Sequence, residues 1–320
     1  MSLQIVTSII NYCTGELTIA AAASVLKDMG TRTGRVVIVD NASPDASADQ
    51  IAQWIAAQGD PRLHLVRSVL NGGFSAGHNQ GFAAFPGADF YLVLNSDAWL
   101  RPGFFDAILA AAADNPMAGL IGPRLEHEDG ERQDSCFRCP GLWSEVIRGA
   151  RTGPVTSLLK NHVVSLSMPP DPGAVEWMSF ACILIRGDML RRIGPMDEGY
   201  FLYFEDTEYG LRALRSGWQL LYAEDARAVH LHGKSGSVVA AREDRKRLPS
   251  YYWCARTRLL RQANGPLGPV LGNLGWITGR VLARLRLVTG RGIPRAHDRE
   301  WRDIWTGLRT PLRPCPRPGP

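Results

Sequence analysis

Through the first 230 residues, short apolar runs alternate with stretches of helical period. Residues 3 to 10 (LQIVTSII), 35 to 40 (RVVIVD), 63 to 66 (LHLV) and 90 to 95 (FYLVLN) are β-rich, and helix-like stretches occupy 17 to 29, 45 to 58 and 102 to 114. Strand, helix, strand in this cadence predicts βαβ units and an α/β fold, a mainly parallel central sheet flanked by helices. Open sheets of this kind bind ligands beyond the carboxyl ends of their strands, so the residues that follow each run are where function is to be sought. Here they are polar: Asn11 and Tyr12, then Asp40, Asn41 and Ser43, then Asn95, Ser96 and Asp97. The stretch DNASPD (40 to 45) also suits a turn with a helix cap, which leaves two explanations open for Ser43 and Asp45. Asp40, at the tip of an apolar strand, faces the ligand crevice, where a base or ribose offers donors.

A second pattern follows near the C-terminus. From Leu267 to Val288 apolar residues fall at 267, 270, 271, 274, 277, 281, 285 and 288, one face of a helix, with Arg280, Arg284 and Arg286 between them. Three arginines at ~2.5 to 3.5 kcal/mol each near a bilayer centre argue against a spanning helix, as do Gly268, Gly272, Gly275 and Gly279. The helix is expected to lie on a membrane surface or to pack on the rest of the chain. Residues 310 to 320, rich in proline, are predicted to be disordered.

Composition narrows the class. With 320 residues, 45% hydrophobic and 21% charged, the chain is globular rather than fibrous or disordered, and a core of that size needs no disulfides. Six scattered cysteines and an N-terminus without a basic, then apolar, leader predict a reducing, cytoplasmic setting. Charge is split. From Arg256 onward thirteen arginines and no lysine stand against Asp298, Glu300 and Asp303, a net of +10, which leaves −5 for residues 1 to 255. A basic arm on an acidic body suits an anionic surface. The expected organisation is an α/β domain over 1 to 240, a helical basic extension over 241 to 309 and a tail over 310 to 320.

The loop Asn71-Gly-Gly-Phe-Ser-Ala-Gly-His-Asn79 precedes a helix-like stretch (80 to 85), and its glycines let backbone approach a ligand. GxxxxGK[ST] is missing, and no GxGxxG follows the first run, which argues against a P-loop enzyme or a dinucleotide-binding oxidoreductase. Cys136 and Cys139 have no partner pair, so a zinc site is not expected. Glu205 and Asp206 open a predicted helix, EDTEYGLRALRSG. The helix dipole favours acids there, and Glu208 with Arg212 makes an i,i+4 pair.

In order along the chain, NYCTGE, VVIVDNASPDAS, NGGFSAGHNQG, FYLVLNSDAWLRPGF, GPRLEHEDGERQDS, IRGDMLRRIGPMDEGYFLYFEDTEYGLRALRSGW and ARAVHLHGKSG resemble the inverting family 2 glycosyltransferases with the GT-A fold. The resemblance is strongest to bacterial rhamnosyltransferase-like enzymes of surface polysaccharide assembly, and runs from about residue 4 to 236. It implies that Tyr12 and Asp40 hold the base of a nucleotide sugar, that Asn71 and Asn79 line its pocket, and that Asn95-Ser96-Asp97 stands where the family has an acidic metal motif. One carboxylate of that motif remains. Asp97 and a late histidine, His230 rather than His232, would hold Mn²⁺ or Mg²⁺. Asp206 would be the general base of a single displacement that inverts the anomeric centre, with Trp177, Tyr203 and Glu205 near the acceptor. Phe180, where the family commonly has glycine, is expected to reshape the donor or acceptor pocket. A second departure is Thr257, in place of an asparagine.

The resemblance thus implies an inverting, metal-dependent transferase that moves rhamnose or a hexose from dTDP-rhamnose or a UDP-sugar to a glycan or lipid-linked glycan. Its expected setting is cytoplasmic, peripheral on the inner face of the plasma membrane, with no nucleic-acid partner. The alternative is a non-catalytic protein that binds nucleic acid or membrane through the arginine-rich arm. That leaves the polar strand ends unexplained.

Overall fold

The computed structural model describes residues 3–231 and 244–318. In chain order the body comprises β1 (Ile5–Asn11), α1 (Gly15–Met29), β2 (Gly34–Asp40), α2 (Ser47–Gln58), β3 (Leu63–Arg67), α3 (Gly73–Ala84), β4 (Phe90–Leu94), β5 (Ala98–Leu100), α4 (Phe104–Asp114) and β6 (Ala118–Glu126). There follow β7 (Cys136–Phe137), α5 (Leu142–Ala150), α6 (Gly153–Leu158), β8 (Trp177–Met178), β9 (Cys182–Arg186), α7 (Gly187–Ile193), α8 (Glu205–Arg215) and β10 (Gln219–His230). The C-terminal part carries α9 (Ser250–Asn264), α10 (Gly268–Arg284) and α11 (Glu300–Asp303).

The main sheet has the order β3-β2-β1-β4-β9-β6-β10-β5. Pairing is parallel from β3 through β4 and between β6 and β10, while β9 runs antiparallel between β4 and β6, and β5 closes the far edge antiparallel to β10. Side chains alternate between two cores with the period of a strand. Ile5, Ile9, Val36, Ile38, Leu92 and Leu94 pack with α1, α2 and α4. Val6, Val37, Val39, Tyr91 and Val93 pack on the opposite face, with α3, α7 and α8. Both faces are covered, which explains why these strands read as continuous apolar runs.

The predicted strands and helices are present, and the sheet is the mixed, mostly parallel one of the GT-A fold. One boundary differs. The helix α3 starts at Gly73, inside the stretch expected to be loop, because Gly73 adopts φ +86° against Phe201. A Cβ there would meet the Phe201 carbonyl oxygen at 2.0 Å, and Phe74 N–H donates to that oxygen at 2.8 Å.

In the C-terminal part, α10 packs on α5 and α9. The expected break at residue 240 lies outside the described residues, as does His232. The tail differs from expectation. Cys315 is buried, its N–H donates to the Gly199 carbonyl at 2.9 Å, and Arg258 donates to the Leu312 carbonyl. Proline removes donors but does not prevent an extended segment from docking by its remaining N–H groups.

Candidate active site

Parallel pairing puts the carboxyl ends of β2, β1 and β4 side by side, with Asn11 directly opposite Asp40. Asn11 is a fully buried hub. Its amide nitrogen donates to Asp40 Oδ1 at 2.7 Å and to Ser47 Oγ at 2.8 Å, and its carbonyl oxygen accepts from Thr14 and Thr18. Asp40 Oδ2 also accepts the Ser43 N–H at 3.2 Å, so the Asp40 carboxylate closes the turn, while Asp45 Oδ1 accepts the Ser47 N–H at the start of α2 and the Ser43 hydroxyl accepts from Asn11 and from Cys13 N–H. Thr14 Oγ1 reaches Ser96 Oγ at 3.1 Å, which ties the first strand end to the Asn95–Asp97 turn. Tyr12 stands at this rim, 46% exposed, with its ring available for stacking.

The glycine-rich segment is fastened to the same edge. Asn41 donates to Asn71 Oδ1 and to the Gly73 carbonyl, both at 3.0 Å, and accepts from Gly72 N–H. Asn79 does not join this group. Its amide donates to the Met196 carbonyl and to Glu198, and accepts from Met196 N–H, so it clamps the segment after α7 and is not part of a nucleotide pocket. His78 is likewise core. It lies 2.9 Å from Ser8 Oγ, and burial pushes its imidazole down to about 3.

Asp97 is fully buried in the turn before β5, and His230 ends β10 opposite Ala98. Nε2 of His230 lies 3.5 Å from Asp97 Oδ1. Neighbouring ligands on a shared ion at ~2.1 Å stand roughly 3 Å apart, so a carboxylate oxygen and an imidazole nitrogen at this spacing fit a divalent cation. Among the described residues no cluster of three or more histidine, cysteine, aspartate or glutamate side chains could do so alone. The remaining ligands would therefore come from elsewhere, as Mg²⁺ and Mn²⁺ sites commonly draw them from substrate phosphates.

The His230 carbonyl accepts from Gln133 Nε2 at 2.6 Å, and Gln133 lines a cavity of about 850 Å³. Around that cavity stand Asp206, Thr207, Tyr203, Trp177, Tyr252 and Arg256, among others. Asp206 lies in the first turn of α8. Its Oδ1 accepts from Thr207 N–H at 2.7 Å and Thr207 Oγ1 at 3.2 Å, which fixes the carboxylate plane. Burial pushes the Asp206 carboxyl up to about 6. Glu205 beside it is buried, does not line the cavity, and is raised well above the carboxylate range by burial and then by the Asp206 charge. That removes it from the acceptor group expected by resemblance. Trp177 stacks on Phe137 at 4.1 Å and donates to the Arg138 carbonyl, and Tyr203 meets Tyr252 edge-on at 5.8 Å. Phe180 is in the core against Tyr209, at 6.0 Å, and reshapes no pocket.

Four non-glycine residues in the left-handed region, Cys13, Ala42, Tyr203 and Phe204, flank these groups. Strained backbone of this kind concentrates where a site must be held in one shape. Sequence reasoning missed Asn11 as the hub, Asn41 as the loop clamp and Gln133 as the link from the cavity lining to the His230 carbonyl. Asn11 and Asn41 had a signal, being amides at strand ends; Gln133 had none.

Residues 6–154 match the model of glycosyl transferase family 2. Over those residues, just under half of its length, the chain is similar to the family 2 glycosyltransferases. The domain's relatives include the N-acetylglucosaminyl-diphospho-decaprenol L-rhamnosyltransferase of Mycobacterium tuberculosis, 29% identical over 214 residues, 61% of this chain and 66% of that protein. The alignment thus spans just under two thirds of that relative's length. The low-salt glycan biosynthesis hexosyltransferase Agl10 of Haloferax volcanii is 24% identical over 204 residues, 61% of this chain and 58% of that protein. Among solved structures, the mannosyltransferase PcManGT of Pyrobaculum calidifontis, in complex with GDP-Man and Mn²⁺, superposes with a TM-score of 0.58 at 14% identity, over 98% of this chain and 85% of that one. At that identity the likeness is one of fold.

Proposed function

We propose that the chain transfers a sugar, rhamnose or a hexose, from a nucleotide-diphosphate donor to a hydroxyl of a glycan or lipid-linked glycan, by a single inverting displacement. One observation supports this: Gln133, which lines the cavity together with Asp206, donates to the carbonyl of His230, whose Nε2 lies 3.5 Å from Asp97 Oδ1. The names of the rhamnosyl and hexosyl relatives support the substrate class.

In this reading Tyr12 stacks on the base, Asp40 accepts from base or ribose, and Asn71 and Asn95 line the nucleotide. The acceptor hydroxyl sits in the cavity beside Tyr203 and Trp177. Oδ1 of Asp206 is occupied by Thr207, so Oδ2 takes the hydroxyl proton as that oxygen attacks the anomeric carbon. With its carboxyl at about 6, Asp206 is about nine-tenths ionised at pH 7 and still basic enough to accept a proton. Asp97 and His230, with pyrophosphate oxygens, would hold a divalent cation, Mn²⁺ or Mg²⁺, that supplies charge neutralisation to the leaving nucleotide. No described helix is long and apolar enough to cross a membrane, and we place the protein peripherally on an anionic inner leaflet, where lipid-linked acceptors are found.

The test is a thermal-shift screen of dTDP-rhamnose and UDP-hexoses with and without Mn²⁺. A donor at 100 times its dissociation constant adds about 2.7 kcal/mol of stability, and Asp97→Ala should abolish the Mn²⁺-dependent part. Absence of any nucleotide-sugar shift, or full Mn²⁺ dependence in Asp97→Ala, would overturn the assignment.

A further inference from the structure

The helix α10 turns its glycines, with Trp276 and Ala283, toward the body and most of its leucines outward. Its small residues face the body: a Cβ on Gly275 would lie 2.5 Å from the Leu142 carbonyl oxygen, and one on Gly279 2.2 Å from that of Val146. No larger face of the helix could approach α5 so closely. The apolar stripe is consequently turned to solvent, with Leu267, Leu271, Leu274, Val281 and Leu285 between 42% and 65% exposed. With Ile277, 37% exposed, they recur three and four apart, which makes one continuous ridge rather than scattered single residues. The segment after α10 leaves Trp301 exposed as well, and is tied back to the helix by Arg280 to the Pro294 carbonyl and Asn273 to the Ile304 carbonyl.

Charge identifies the occupant. Of the three acids after Arg256, Glu300 and Asp303 are buried on Arg148 and Arg247, and Asp298 is paired with Arg295. Arg284, Arg291, Arg299 and Arg302 are exposed and make no ion pair with any described residue. A second copy of the chain would bring these arginines against their own kind. An anionic lipid surface satisfies both features, since an apolar ridge enters the acyl boundary while guanidiniums meet headgroup phosphates. We infer that the outward face of α10 is a monotopic docking surface that seats the protein on anionic membrane. It deepens the peripheral placement proposed above and rests on that reading for its purpose, though the ridge itself does not. The helix α9, which supplies Tyr252 and Arg256 to the cavity, packs directly on α10, so the docked face lies one helix layer from the acceptor cavity.

The experiment is flotation of the full chain with vesicles of phosphatidylcholine alone or mixed with phosphatidylglycerol, alongside light scattering for oligomeric state. The wild type is expected to float as a monomer with the anionic vesicles. L271E/L274E/V281E should lose about tenfold or more of that binding, and R284Q/R291Q its preference for anionic lipid. In a Cys13→Ser background, which removes the exposed thiol, a polarity-sensitive dye on Leu274→Cys should shift to the blue on vesicles even if the triple variant folds poorly. No flotation, flotation indifferent to the triple change, or a wild-type dimer that the triple change dissociates would each overturn the inference. Donor-induced thermal shifts read on the same samples separate this outcome from failure of the glycosyltransferase assignment.

Discussion

At the scale of single residues, the environment of Asp206 sets both its chemistry and its cost. Its carboxyl is raised, so the folded chain holds that proton more tightly than the unfolded chain between the ordinary carboxylate range and pH about 6. Above that pH the partly buried charge works against folding. The rate should therefore fall as pH drops through about 6, and Asp206→Asn should remove this limb while lowering turnover by ~10² to 10⁴. The same substitution should stabilise the protein more at pH 8 than at pH 5, read from urea midpoints, because it deletes a charge present only at the higher pH. A variant that keeps the acid limb would show that another group titrates. Residue types at the strand ends were legible in the sequence because their placement is local: a parallel sheet delivers Asn11, Asp40 and Asp97 to one edge wherever the strands are recognised. Asn79 was misread because its partner, Met196, lies 117 residues away, and nothing near Asn79 reveals which side of α3 it faces. Phe180 was misread for the same reason, its core neighbour Tyr209 belonging to another element.

Elements were legible where periodicity is strong and pairing is sequential. The strands β1 to β4 and the helices between them follow from runs and breaks alone. The position of β9 does not, since an antiparallel strand inserted between β4 and β6 has the same apolar composition as a parallel one. For α10 the period was plain but its direction was not. Apolar positions ordinarily face inward, whereas here four glycines allow a backbone approach that leucines could not match. Behind the contact lies a buried network in which Glu145 meets Arg148 at 2.7 Å and Arg256 at 2.9 Å, and Arg256 donates to Asn273. Burial pushes the Glu145 carboxyl up, but the two guanidiniums outweigh it and hold it at about 2. The glycine contact gives a prediction on the element itself. Gly279→Val should cost about 1 to 3 kcal/mol or more by overpacking against Val146 and Ala150, whereas Leu274→Glu on the outward face should stay within about 0.5 kcal/mol. Equal losses in denaturant melts would mean that the outward face is buried in solution.

On the scale of the whole molecule, the cavity is assembled from segments that sequence separates widely, with Gln133, Trp177, Asp206 and Arg256 on four different stretches. The last residues of the chain reach the same place indirectly. Arg258 is bidentate on Asp197, at 2.7 and 3.0 Å, and donates to the Leu312 carbonyl, while Cys315 N–H donates to the Gly199 carbonyl. Asp197 and Gly199 begin the segment that continues through the left-handed Tyr203 and Phe204 into Asp206. Strained residues of that kind persist only when their surroundings over-determine them, and here the tail supplies part of the constraint. Deleting residues 310 to 320 removes two backbone acceptors or donors and the buried Cys315 side chain without touching Asp40, Asn71, Asp97 or His230. Donor affinity, measured by calorimetry, should hold within about twofold, while turnover should fall by roughly tenfold or more as Asp206 loses its fixed position. If instead turnover is preserved, the segment is held by the Arg258–Asp197 pair alone. In that case the charge-deleting variant Asp197→Asn should reproduce the loss, because it leaves Arg258 partly buried without its anion.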